Sequence, residues 1–368
     1  MKSSPHRHTA AVINLENIAE NINRVRGHLP GQPELWAVVK ANAYGHGAVR
    51  VARHIHDMVE GFCVSNLDEA LELRQHLITQ PLLVLSGIVP ANVDLARANG
   101  ISLTCPSLEW LELIIEEHQD LTGLKVHVKV DSGMGRIGMR SADEVNQVIR
   151  LLDQEGMQFE GLFTHFATAD EANPDKFEQQ RQTFDNLVSQ LERRPRYIHS
   201  TNSAAALWHS EQVGDIERLG IGMYGLNPSG EAIELPYELK PALSLVSELT
   251  HVSKIPKGET VGYGATYELA EDSYVGTVSI GYADGWTRDM QGFYVLVNGK
   301  KAEIIGRVSM DQMTIKLDKD YKIGTPVTLI GRDGDEEITA QDIANWRKTI
   351  AYEVVCLLSD RIYRKYIG

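Results

Sequence analysis

Over its first 225 residues the chain alternates short, β-rich apolar runs with helix-like segments, and this alternation restricts the fold more than any other feature. The strand candidates are Leu35–Lys40, Gly61–Ser65, Pro81–Ser86, Ile101–Cys105, Leu124–Asp131, Glu160–Phe166, Tyr197–Thr201 and Glu217–Tyr224. Amphipathic stretches such as Asn66–His76 and Ala142–Gln154 lie between them, with apolar positions recurring every three or four residues. A further helix-like segment, Leu15–His28, precedes the first run. Strands apolar on both faces and mostly separated by helices predict an α/β fold, a closed parallel (β/α)8 barrel of the TIM type rather than an open sheet.

The texture changes after Tyr224. Gly225–Pro241, rich in Gly, Pro and Asn, reads as a linker. Beyond it come alternating strand patterns at Leu243–Ile255, Tyr274–Ile280, Phe293–Val297, Ala302–Val308 and Pro326–Ile330. Asn298-Gly299 marks a hairpin turn, and a helix is expected over Thr339–Lys348 behind a Thr cap. A chain of 368 residues is too long for one small core, so two domains are expected: a barrel over 1–230 and a mostly β domain over 231–368.

Charge narrows the partners. A net charge of −14 with no Lys/Arg cluster argues against nucleic acid, which needs a basic stripe to release counterions. Cys63, Cys105 and Cys356 lie far apart in apolar runs, so buried thiols are expected, with neither a disulfide nor a metal site. The N-terminal MKSSPHRHTA has no apolar stretch of the kind an export signal requires. No segment reaches the roughly 20 apolar residues of a membrane span. A cytoplasmic location is the simplest expectation.

Barrel chemistry sits at the carboxyl ends of the strands. There the sequence places Lys40 followed by ANAYGHG, then Asp131–Arg136 (DSGMGR), His165, Asn202 with Ser203, and Arg218 with Gly220-Ile221-Gly222. These come from strands one, five, six, seven and eight, contiguous around a closed ring. A strand-end lysine can simply snorkel, and a lone His165 would pass for a core histidine. The run after Lys40 changes the balance: two glycines permit close backbone approach, Tyr44 offers a hydroxyl, and a helix N-terminus follows that favours anions. Ser203 and the GIG turn lie where barrels bind phosphate. A desolvated lysine able to form a Schiff base, beside a phosphate cup, points to a phosphorylated aldehyde cofactor.

The run VVKANAYGHG resembles the cofactor-attachment signature of the alanine racemases. KVDSGMGRIG, FTHFATAD, HSTNSAA, ERLGIGMYG, VGYGATY, IGYADGW, GRVSMDQ and AYEVVC follow in that family's order across essentially the whole chain. The resemblance implies pyridoxal 5'-phosphate joined to Lys40 as an imine, and interconversion of L- and D-alanine by two bases. Lys40 would serve one face of the α-carbon and Tyr263 the other, since a single base tends to return its proton where it came from. A tyrosine, with a reference pKa near 10, needs positive neighbours, which His165 and then Arg218 behind it would supply.

The resemblance also implies that Arg218 faces the pyridine nitrogen, where barrel decarboxylases carry a carboxylate. An arginine gives up no proton there, which weakens the electron sink and limits transamination. Tyr44, Ser203, Gly220, Ile221 and Tyr352 would hold the phosphate, with Asn202 beside them among the cofactor contacts. Arg136 and the backbone of Met310 would receive the substrate carboxylate. Lys129 matches a position that is often carbamylated, and Tyr282 and Asp311 match the mouth of the pocket. Ordinary strand pairing for Lys129 and plain packing for Tyr282 and Asp311 stay open. A head-to-tail homodimer would bring Tyr263 into the second copy's site. Tyr352 and Met310 leave room for a methyl group, favouring alanine over serine, with cell-wall peptidoglycan as the destination of the D-alanine. A serine/alanine racemase, a barrel decarboxylase and a cofactor-carrying protein without turnover are the other readings.

Overall fold

The computed structural model describes residues 3–368. Met1 and Lys2, the start of the stretch read above as carrying no export signal, lie outside the described residues. The chain divides into two compact units. One holds residues 17–43 and 47–240; the other holds the residues up to Glu16, Tyr44–His46 and Pro241–Gly368.

The first unit is the barrel. Its eight parallel strands are Glu34–Val38, Gly61–Val64, Leu82–Val84, Ile101–Cys105, Lys125–Lys129, Gln158–Phe163, Tyr197–His199 and Ile216–Leu219. They pair in chain order, and the eighth pairs with the first through Trp36↔Arg218 and its neighbours. The seam between the seventh and eighth is joined by the single bridge Asn202↔Arg218, so the barrel is nearly closed. Strands such as GFCV and ISLTC are buried at every position because helices cover the outside and side chains fill the inside.

Helices Leu67–Gln75, Leu108–Glu117 and Ala142–Gln154 begin at Asn66, Ser107 and Ser141, whose side chains accept the otherwise orphaned N–H groups of Glu69, Trp110 and Glu144. The expected strand at Glu217–Tyr224 ends earlier, at Leu219, because Ile221–Tyr224 coils into a 3₁₀ turn. Likewise the fifth strand stops at Lys129 and the sixth at Phe163, which frees DSGMGR and THFATAD as loops.

The second unit is built on a nine-stranded sheet around the long strand Leu243–Ile255. Strand Ala10–Asn14, which sequence reading had placed within 1–230, pairs antiparallel with Leu243–Ile255 and parallel with Tyr363–Ile367, so both ends of the chain are stitched into this sheet. Tyr294–Val297 and Lys300–Glu303 form the expected hairpin; Asn298 and Gly299 both have positive φ, as a two-residue loop of this kind requires. Thr339 caps helix Ala340–Arg347 in a reciprocal box with Asp342. Strands Met313–Leu317, Glu336–Ile338 and Tyr363–Ile367 and helix Ala351–Cys356 were not foreseen. Cys63 and Cys105 are buried as expected, but Cys356 is exposed: it closes a two-turn helix whose buried side is Ala351, Val354 and Val355.

Candidate functional site

Lys40 opens a tight turn rather than a loop. Ala41, Asn42, Ala43 and Tyr44 all have φ between 51 and 54°, a left-handed helical turn of ordinary L-residues. Each such residue costs roughly 1–2 kcal/mol, so the turn persists only because its surroundings hold it. The Ala43 N–H donates to the Val39 carbonyl at 2.8 Å and the Gly47 N–H to the Asn42 carbonyl at 2.8 Å. Asn42 Oδ1 accepts from the Ala48 N–H at 2.8 Å, and Glu69 clamps the N–H groups of Ala41 and Ser65 at 2.7 and 2.6 Å. The strain therefore aims the strand end carrying Lys40, and helix Ala48–Ile55 follows as expected.

Four cations gather around His165. Its ring is half-buried, and desolvation first, then the charges of Arg218, Arg136, Lys129 and Lys40, hold it well below the usual imidazole range. The structure thus brings together within the barrel five residues singled out from sequence. Arg218, 4% exposed, reaches His165 Nδ1 at 3.4 Å and donates to the carbonyls of Thr164 and Ser200, both at 3.0 Å. Its shortest contact, 2.6 Å, is to His199 Nδ1, a residue that sequence reading passed over. Every group bonded to this guanidinium is neutral.

The remaining barrel residues fall around this cluster. Asp131 collects the N–H groups of Gly133, Met134 and Gly135 on one carboxylate oxygen and Arg140 on the other, which shapes the turn that carries Arg136. Lys129 is buried, donates to the Val130 carbonyl at 2.7 Å, and has its pKa brought down to about 7 by burial and then by Arg218. The N–H groups of Gly220 and Gly222 converge on Ser203 Oγ at 2.8 and 3.1 Å, tying the GIG turn to the start of helix Ser203–Trp208. Asn202 caps that helix by accepting from the Ala205 N–H at 3.0 Å, so its side chain is engaged locally.

The second unit carries the others. Tyr44 and Tyr352 lie with ring centroids 6.2 Å apart. Tyr263 stands at the tip of a turn between Gly262 and Gly264, both at positive φ, and is 72% exposed. The Ala283 N–H donates to the Met310 carbonyl at 3.0 Å and the Tyr282 N–H to the Ser309 carbonyl at 3.0 Å, so the IGYADGW and GRVSMDQ turns are zipped together. Asp284 lies fully buried beneath them, bonded by Arg7, whose Nη2 also donates to the Asp311 carbonyl at 2.8 Å; Arg361 pairs with the Asp311 carboxylate at 2.6 Å. Arg7 and Asp284 were not foreseen; the only signal was an arginine near the chain start and an acid inside an apolar motif.

Comparison with known proteins agrees with this arrangement. The alanine racemase N-terminal domain matches residues 13–228 and the alanine racemase C-terminal domain matches residues 242–366. The chain is 63% identical over 366 residues to an alanine racemase of Lactococcus lactis subsp. lactis (strain IL1403), covering 100% of each. Among solved structures, alanine racemase from E. faecalis superposes with a TM-score of 0.97 at 47% identity, covering 100% of both chains. A histidine racemase from Leuconostoc mesenteroides subsp. sake superposes with a TM-score of 0.94 at 34% identity, again over 100% of both. Fold, motifs and relatives together define an amino-acid racemase, an isomerase built on a parallel barrel with a β-rich second unit. More narrowly, the chain belongs to the alanine racemase family.

Proposed function

We propose that this protein interconverts L- and D-alanine with pyridoxal 5'-phosphate held in the barrel. The observation that carries the reading is the buried Arg218, bonded only to neutral partners, within a cluster that also holds Lys40, Arg136, Lys129 and His165. The donor set suits that cofactor: an amine for its aldehyde, a guanidinium for its ring nitrogen, and hydroxyl and backbone N–H groups at Ser203, Gly220 and Ile221 for its phosphate, with Tyr44 and Tyr352. When bound, it supplies an aldehyde and a conjugated ring that draws electrons from the substrate α-carbon.

The chain's own residues do the rest. Lys40 takes or delivers the α-proton on one face of the substrate and Tyr263 on the other, which inverts the centre. Arg218 would hold the ring nitrogen of the cofactor by a hydrogen bond while keeping its own proton, which would weaken the ring as an electron sink and limit side reactions. His165, kept neutral by desolvation and then by its cationic neighbours, mediates between Arg218 and the Tyr263 hydroxyl. Arg136 and the Met310 N–H receive the substrate carboxylate. Lys129, with its pKa brought down to about 7, has the neutral amine needed to add carbon dioxide. The resulting carbamate, formed with release of one proton, is an anion suited to orient Arg136. Tyr263 acts in the site of a second copy, in a head-to-tail homodimer. The domain boundary near residue 230, a cytoplasmic location and a role in peptidoglycan supply complete the proposal; no helix among the described residues is long and apolar enough to cross a membrane.

The test is exchange of the α-proton of L-alanine in deuterated water followed by chiral analysis. The native chain should yield deuterated alanine of both hands. Lys40→Ala should abolish exchange of both enantiomers and the borohydride-fixed adduct, and Tyr263→Phe should slow exchange of one enantiomer far more than of the other, because Lys40 still serves one face. Carbon dioxide release in place of deuterium exchange would replace the reading with a decarboxylase.

A further inference from the structure

Beneath the site, hydrogen bonds run through the barrel interior from Arg218 toward the opposite end. Arg218 Nη1 meets His199 Nδ1 at 2.6 Å, His199 Nε2 meets His127 Nδ1 at 2.9 Å, and His127 Nε2 meets Glu160 Oε2 at 3.1 Å. Ser102 Oγ donates to the same carboxylate oxygen at 2.5 Å, and Lys125 Nζ lies 3.3 Å from Oε1 with its side chain 40% exposed. Arg218, His199, His127 and Glu160 are 4, 1, 0 and 8% exposed, so no solvent competes for these bonds.

Donor and acceptor chemistry leaves one proton arrangement. A guanidinium only donates, so His199 Nδ1 must accept. The proton of neutral His199 then sits on Nε2 and is donated to His127 Nδ1, whose own proton must be on Nε2, facing Glu160. A second proton on either ring would set two N–H groups against each other. Burial and the Arg218 charge, which hold His199 well below the usual imidazole range, work in the same direction. Burial opposes ionisation of Glu160, yet the hydrogen bonds from His127 and Ser102 and the Lys125 charge keep its carboxyl below the usual carboxylate range.

Two backbone features are built around this chain of bonds. Pairing between the fifth and sixth strands runs Val126↔Phe159 and then His127↔Gly161, so Glu160 is the extra residue of a bulge, a device that re-aims a side chain. A Cβ at Gly161 would lie 2.3 Å from His127 Nδ1, so only glycine leaves room for that ring. Aromatic walls complete the channel: Phe163 stacks on His199 at 4.9 Å and 3°, and Trp36 and Tyr197 flank His127 at 6.0 and 6.2 Å.

We propose that Glu160 is a positioning residue for Arg218: by accepting the Nε2 proton of His127 it supports from the far end the tautomers that Arg218 requires, and so holds both rings and that cation in place. The role of Arg218 at the cofactor rests on the function proposed above; the proton arrangement does not. Without Glu160 the buried Nε2 N–H of His127 loses its acceptor, and moving that proton to Nδ1 relieves this only by breaking the bond between the two rings, so the two arrangements compete and the rings no longer hold Arg218 in one place.

Nitrogen-15 spectra of histidine-labelled holoenzyme, with cofactor affinity measured by titrating pyridoxal phosphate into the stripped protein, test this. The native chain should show His127 and His199 neutral, each protonated on Nε2. Glu160→Leu should mix the tautomers and weaken cofactor binding 10–100-fold, the range over which loss of a supporting hydrogen-bond partner weakens metal sites. Glu160→Gln, which keeps an acceptor, should restore the tautomers and most of the affinity. If Glu160→Leu does not fold, Gly161→Ala displaces the His127 ring while deleting no polar group and should mix the tautomers in the same way. An imidazolium or an Nδ1 proton at either histidine in the native chain overturns the proposal. So does native affinity and native tautomers in Glu160→Leu or Gly161→Ala, or a Glu160→Gln variant no better than Glu160→Leu. A chain with the expected tautomers but no alanine exchange would fail as a racemase and keep the relay; the reverse result would keep the racemase and remove the relay.

Discussion

Lys129→Met should stabilise the protein, and by an amount that depends on pH. The Lys129 side chain is 3% exposed, with Nζ 5.4 Å from the Phe163 ring centre, and burial, then the Arg218 charge, bring its pKa from 10.5 to about 7. At about 1.4 kcal/mol per pKa unit this difference amounts to about 5 kcal/mol against the charged form. Between pH 7 and 10.5 the unfolded amine binds a proton that the folded amine does not, so stability rises with pH across that window, and below pH 7 the full cost is present. Methionine removes the titration and loses one hydrogen bond to Val130, worth about 1 kcal/mol. The variant should therefore exceed the native chain by about 4 kcal/mol at pH 6, and its advantage should shrink by about 1.4 kcal/mol per pH unit above 7. Urea unfolding followed by tryptophan emission, in degassed buffers that prevent carbamate formation, measures the difference from pH 6 to 9. A stability gap that does not change with pH would refute the reasoning.

Ser203→Ala removes the oxygen on which the Gly220 and Gly222 N–H groups converge, and should weaken pyridoxal phosphate binding by about tenfold, read by absorbance titration. Asp131→Ala releases three backbone N–H groups and Arg140, loosening the turn that carries Arg136; KM for alanine should rise about tenfold or more with a smaller change in kcat, measured by chiral assay. If Tyr352 crowds the substrate methyl group, as the proposed function has it, Tyr352→Asn should raise turnover of serine relative to alanine; equal relative rates would remove the crowding argument.

The eight barrel strands were legible because each is covered on both faces, so most, such as GFCV, LLV and ISLTC, are nearly unbroken apolar runs between helix signals, while KVHVK and IERL still keep apolar residues at two of their positions. Tyr363–Ile367 was not, since this edge strand of YRKYI has no consistently buried face, and Ala10–Asn14 finds its partners more than 200 residues away in sequence. The gathering of Lys40, Arg136, His165 and Arg218 was legible through residue type at strand ends. The left-handed turn after Lys40 was not, because of Ala-Asn-Ala-Tyr only Asn42 favours that hand; the Asn42 bond to the Ala48 N–H and the tertiary clamp by Glu69 impose it. Glu160 escaped notice for a related reason: a single acid in EGLF looks like a strand end, and only the bulge turns it inward. His127 and His199, each alone in an apolar strand, become legible only once Arg218 is seen to need acceptors.

Tyr263 sharpens the question of which chain completes each site. A phenol that is 72% exposed faces water, whereas a general base works best in a site from which water is excluded. Met310 and Tyr282 are also exposed, at 53 and 41%, so the second unit presents large side chains that a further surface should cover. If a second copy covers them, Lys40 and Tyr263 of one site come from different chains. Mixing Lys40→Ala with Tyr263→Phe homodimers after mild dissociation then yields about half heterodimers, each with one site carrying both native residues, so about a quarter of native activity should return. Closure within a single chain predicts no recovery at all, because every site would keep one of the two substitutions. Sedimentation of the mixture confirms that dimers re-formed, and recovery near zero from re-formed dimers would place Tyr263 in its own chain's site.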